Sequence, residues 1–110
     1  MNISRGTKGE IAILKLSGRL DLESSESLKS TVDGVLTDNF RKMILVLNGV
    51  DFINSSGLGS LISILKKVNQ NHGRMILTGM APFVRDVFEI TQLTNIFEIH
   101  NDENQAVAIL

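Results

Sequence analysis

Apolar residues along this chain alternate between two spacings, one of strand length and one of helical period. Lys42 to Leu47 (KMILVL) is a nearly continuous apolar run, the pattern of a central strand covered on both faces, and Met75 to Thr78 is a second such run. Between them, Leu58, Leu61, Ile62, Leu65 and Val68 recur at i, i+3, i+4 and i+7, so Ser56 to Asn71 is predicted as an amphipathic helix. Strand, helix and strand in that order imply a right-handed parallel crossover. Upstream, the β-rich segment Ile11 to Leu16 follows the turn-forming Gly6-Thr7-Lys8-Gly9, which predicts a hairpin with a short strand near Asn2 to Arg5. Leu22, Leu28, Val32, Val35 and Leu36 then fall at largely helical spacing, with Asp21 as N-cap and the serines of the segment expected to face water. Pro82 suits the first turn of a further helix with Phe83, Val84, Val87 and Phe88 inward, and Ile96 to Ile99 reads as a short strand. Asp102 is placed to cap a last helix whose Ala106, Val107, Ile109 and Leu110 dock on the sheet. The sum is a single α/β domain over residues 1–110, with a mixed sheet of four to five strands and about four helices.

Composition narrows the class of function. The 110 residues are 43% hydrophobic and 21% charged, a globular balance for a chain that can bury one core. Eleven basic residues against twelve acidic leave a net charge of -1, and the basic residues are scattered, so no nucleic-acid partner and no anionic membrane surface is expected. The absence of cysteine excludes disulfides and thiolate sites and fits a reducing compartment. With a polar Met1 to Glu10 and no apolar run near ~18 residues, a cytoplasmic protein is expected, and a monomer is taken as the default.

The segment Asp51 to Ser60, DFINSSGLGS, joins a buried strand to its crossover helix and puts Asn54, Ser55 and Ser56 at the strand's carboxyl end. Open α/β sheets gather functional groups there. Gly57 and Gly59 fall in the first helical turns although each costs roughly 1 kcal/mol relative to alanine. One explanation is close helix-to-sheet packing together with N-capping by Ser55. Another is that the missing side chains admit a foreign backbone or a phosphate to the helix start, and the two are compatible. GLGS lacks the third glycine of GxGxxG, and no GxxxxGK followed by Ser or Thr occurs. Ser55 has no GxSxG setting, and His72 and His100, the only histidines, are far apart and in no ligand spacing. No catalytic residue, metal site or cofactor is therefore assigned. Asp21 reads first as a helix cap and second as a carboxylate beside the serines.

These residues carry a resemblance. Through GRLD at Gly18 to Asp21, MILVLNGVDFI, SSGLG at Ser55 to Gly59 and GMAPFVRDVFEITQL, the chain resembles the STAS-domain anti-sigma factor antagonists over essentially its whole length. The resemblance implies a non-enzymatic switch. Ser55 would be phosphorylated by an anti-sigma factor that is itself a serine kinase, and a metal-dependent serine phosphatase would reset it. The unphosphorylated form would bind the anti-sigma factor and free the sigma factor. Asp21, Asn54, Ser55, Ser56, Gly57, Leu58 and Gly59 are the implied partner-binding residues. Asn54 departs from the aspartate usual before the phosphorylated serine. The same domain also serves as an accessory subunit of transporters or stress-signalling complexes, which is the alternative implied role.

Overall fold

A two-residue turn at Gly9 and Glu10 closes the expected hairpin in the computed structural model, which describes residues 1–110; Gly6, Thr7 and Lys8, read from the sequence as part of the turn, are paired strand residues instead. Strand β1 (Asn2–Lys8) runs antiparallel to β2 (Ile11–Leu20), with Lys8 opposite Ile11. Helix α1 (Leu22–Thr37), β3 (Lys42–Ile53), α2 (Ser55–Gln70), β4 (Arg74–Thr78) and α3 (Pro82–Ile90) follow. A 3-10 turn at Leu93–Asn95, β5 (Glu98–His100) and α4 (Glu103–Ile109) complete the chain. The five strands lie in sequence order, and every pairing after the first is parallel.

The continuous apolar run in β3 has a direct cause. Met43, Leu45 and Leu47 point into a cluster of 23 buried residues shared with α1, α2 and α3, while Ile44 and Val46 point into a second of 6 that includes Ala106 of α4. Successive strand side chains face opposite ways, so a strand covered on both faces has no position left for a polar residue. Three helices thus cover one face and a single seven-residue helix, α4, covers part of the other. No helix is long and apolar enough to cross a membrane.

Several expectations are corrected. Ser24 and Ser25 of α1 are buried, not solvated, because their hydroxyls serve Asp21: the Ser24 hydroxyl accepts from the Asp21 N–H at 3.0 Å, and the Ser25 hydroxyl donates to the Asp21 carbonyl. Leu22, in the apolar periodicity of the same helix, is 71% exposed. Phe83 of α3 and Ile109 of α4 also face solvent rather than the core. The strand read at Ile96 to Ile99 begins only at Glu98; Phe97 turns inward to meet Phe88 edge to face at 5.6 Å, and Ile96 is left outside. β2 and β3 run beyond Leu16 and Leu47, to Leu20 and Ile53, through two register shifts that keep them paired. That extension brings the two loop starts at Asp21 and Asn54 side by side.

Candidate partner-docking site

Leu20 of β2 and Ile53 of β3 are the last paired residues of neighbouring parallel strands, so Asp21 and Asn54 are the first residues beyond them. Each starts a helix by the same device. The Asp21 Oδ1 accepts the Ser24 N–H at 3.1 Å in a reciprocal capping box, and the Asn54 Oδ1 accepts the Gly57 N–H at 3.0 Å. Both caps have the extended backbone that lets a short polar side chain reach back over the first helical turn. The cap of α2 is therefore Asn54 and not Ser55, a correction to the capping role considered for Ser55. Ser55 is the first residue of α2, exposed, and its hydroxyl makes no hydrogen bond within the chain. Ser56 is also exposed and uses its carbonyl to accept the Ser60 hydroxyl at 2.9 Å.

The two glycines separate. Gly57 is buried against β2, where an added Cβ would lie 2.1 Å from the Leu20 carbonyl oxygen. The packing explanation holds there: the same carbonyl accepts the Asn54 N–H at 3.4 Å, and any side chain would force α2 off the sheet. Gly59 is exposed, and a Cβ on it would meet nothing within 4 Å. Leu58, between them, is 9% exposed and belongs to the main core, so it supports the surface from beneath.

Electrostatics at this end of the sheet centre on Asp21. The Ser24 N–H, foremost, and then the Ser24 hydroxyl and the Arg19 guanidinium hold its carboxyl below the usual carboxylate range, so it is ionised at neutral pH. Arg19 lies 3.4 Å from the Asp21 carboxylate and 3.7 Å over the Phe52 ring. Sequence reasoning passed over this arginine although it stands in GRLD, because its cross-strand neighbour Phe52 becomes visible only once the bulged β2–β3 register is known. Neither histidine is within reach of Ser55. His72 lies beyond the far end of α2, about 24 Å away at 1.5 Å per residue, and His100 pairs with Glu98 on β5. No histidine is therefore placed to activate the Ser55 hydroxyl as a nucleophile. The largest surface groove, about 690 Å³, lies on the other face between Lys15, Ser17, Asn48 and Glu103, and none of the candidate residues lines it.

Known proteins agree with this architecture. The STAS domain model matches residues 2–106. The anti-sigma-B factor antagonist of Staphylococcus aureus is 27% identical over 100 residues, covering 91% of this chain and 93% of that one. TM1081 of Thermotoga maritima superposes with a TM-score of 0.89 at 27% identity, over 96% of this chain and 92% of its own. At 20% identity or less the anti-sigma factor antagonist SpoIIAA of Bacillus shares the fold, with TM-scores of 0.73 unphosphorylated and 0.74 phosphorylated; the two comparisons cover 97% and 99% of this chain and 94% and 100% of SpoIIAA. Matched along nearly its whole length by that family model, and folded as these antagonists are, the chain belongs to the STAS-domain family.

Proposed function

We propose that this protein is an anti-sigma factor antagonist controlled by phosphorylation of Ser55. In its unmodified form it docks on an anti-sigma factor that is also a serine kinase, through Asp21, Asn54, Ser55, Ser56 and Gly59, with the buried Leu58 and Gly57 holding that surface in place rather than touching the partner, and so frees the sigma factor. Phosphorylation of Ser55 blocks docking, and a metal-dependent serine phosphatase restores it. The observation that carries this reading is the division of labour at the start of α2, where Asn54 makes the cap and leaves the Ser55 hydroxyl exposed and unbonded. A phosphate placed there breaks nothing inside the domain. The S. aureus relative bears the antagonist's name, and SpoIIAA is known in both phosphorylated and unphosphorylated forms of one fold.

The charge arithmetic favours a switch at the interface. A phosphoserine brings about -1.5 to -2 charges, and its gain from the helix dipole is only about 0.3 to 1 kcal/mol. Burying that charge against a partner without adequate pairing costs on the order of 2 to 5 kcal/mol, roughly a 30-fold to several-thousand-fold loss of affinity. Incubation with the cognate kinase and ATP, followed by tandem mass spectrometry, is expected to find one phosphate on Ser55. Phosphate on Ser56 alone, or none with an active cognate kinase, defeats the assignment. Calorimetric titration of both forms against the anti-sigma factor tests the switch, and equal affinities would refute it.

A further inference from the structure

We propose that the groove beside α4, on the sheet face away from α1 to α3, is a binding site for a small neutral polyol. The groove exists because α4 is short. Seven helical residues span about 10 Å, the width of two strand spacings, so α4 shields the aliphatic cluster around Ala106 and no more. The ends of β2 and β3 and the start of β1 stay open beside it, around a volume of about 690 Å³. That size suits a small molecule.

The lining selects among small molecules. Asn2, Ser4, Ser17, Asn48 and Asn104 bring amide and hydroxyl groups to the groove, and none of these side chains makes a hydrogen bond within the chain. Each both donates and accepts, as the hydroxyls of a polyol do. Lys15 is met by Glu103 at 3.9 Å, which leaves the charge of Asp102 uncompensated and sets the groove against phosphates and carboxylates. The Lys15 ammonium in turn opposes an amine. No aromatic ring offers a nucleobase a stacking platform, and only three of the twelve lining residues are apolar.

A buried group points to the same place. Thr78 pairs with Val46, which lines the groove, and so faces that side of the sheet; its hydroxyl is fully buried and has no partner. Asn48 connects the two, since it lines the groove while its amide oxygen lies 2.0 Å from where a Cβ on Gly79, the residue after Thr78, would stand. An unpaired buried hydroxyl destabilises a fold. A ligand hydroxyl seated between Val46 and Asn48 supplies the missing partner.

Amide NMR titrations with myo-inositol and with sorbitol are expected to give saturable shifts at Ser17, Asn48, Gly49 and Asn104, with a Kd of about 1 mM, and none at Ser55 or Gly59. Asn48→Ala should weaken binding about fivefold. Thr78→Val should weaken it as much yet melt about 4 °C higher, and a threonine with a purely structural role would not combine lower affinity with greater stability. Ser4→Ile, at an exposed position of β1, should fill the groove and reduce affinity at least about tenfold with the melting temperature unchanged. The absence of saturable shifts with either polyol overturns the proposal, as does tighter binding of sulfate, putrescine or adenosine. Shifts confined to residues outside the groove, or full affinity in both Asn48→Ala and Thr78→Val, also overturn it. No kinase enters these titrations, so their outcome is independent of the antagonist reading.

Discussion

Asn54 and Ser55 separate two tasks that one serine at a helix start often combines, and the separation makes opposite predictions for neighbouring residues. Asn54→Ala loses the bond to the Gly57 N–H and should cost about 1 kcal/mol in urea unfolding, whereas Ser55→Ala, which removes no internal bond, should stay within about 0.5 kcal/mol of wild type. Gly57→Ala should be far more damaging, about 3 kcal/mol or more, because the atom in its way is a backbone oxygen that cannot rotate aside. Asp21 carries a pH signature. Its folded carboxyl is held below the ordinary value, chiefly by the Ser24 N–H, so its contribution is complete above the unfolded pKa and is lost as pH falls through the folded one. Asp21→Asn should accordingly flatten part of the acid limb of a stability–pH curve while leaving its alkaline side unchanged. The caps at Asp21 and Asp102 were legible in the sequence, since a short acid before an apolar period is a local signal. The contrast between Gly57 and Gly59 was not, because what distinguishes them is a carbonyl on a different strand.

Among the helices, α3 shows how periodicity overreaches. Its apolar residues suggested an inner face that included Phe83, yet Val84 and Phe88 are the ones buried, with Phe88 packed on Phe97. Phe88→Ala should cost about 3 to 5 kcal/mol, while Ile90→Lys, at a position 81% exposed, should change stability by no more than about 0.5 kcal/mol. Helix ends offer a second test. Asn39, His72 and Gln92 follow α1, α2 and α3 in the left-handed region, the position where glycine is usual, and His72 sits in the helix-ending loop assigned to it from sequence. A left-handed non-glycine residue costs roughly 1 to 2 kcal/mol, against about 0.4 to 1 kcal/mol for the extra freedom glycine has when unfolded. Gln92→Gly should thus stabilise the protein by about 0.5 kcal/mol, measured by chemical denaturation.

On the scale of the whole molecule, the two faces of the sheet are unequal, and α4 is the only helix on the smaller core. Ala106 there is fully buried against Ile11, Ile13, Ile44, Val46 and Ile76. Ala106→Asp would bury a carboxylate without a partner and should cost about 3 kcal/mol. Hydrogen exchange is expected to quicken in α4 while β3, still covered by α1 to α3, remains protected; equal loss of protection in both would show that the two cores unfold as one. The order of strands and helices was determined by the sequence alone, because alternating strand-length runs and helical periods are local properties that follow from burial on one face or two. So was the position of the serine-glycine segment at a strand's carboxyl end. Tertiary structure alone decided that Asn54 caps α2 and leaves Ser55 free, which glycine is packed and which is open, and how far β2 and β3 extend. Each of these depends on the bulged register that brings Leu20 against Ile53, a contact between residues far apart in the chain that no local pattern encodes.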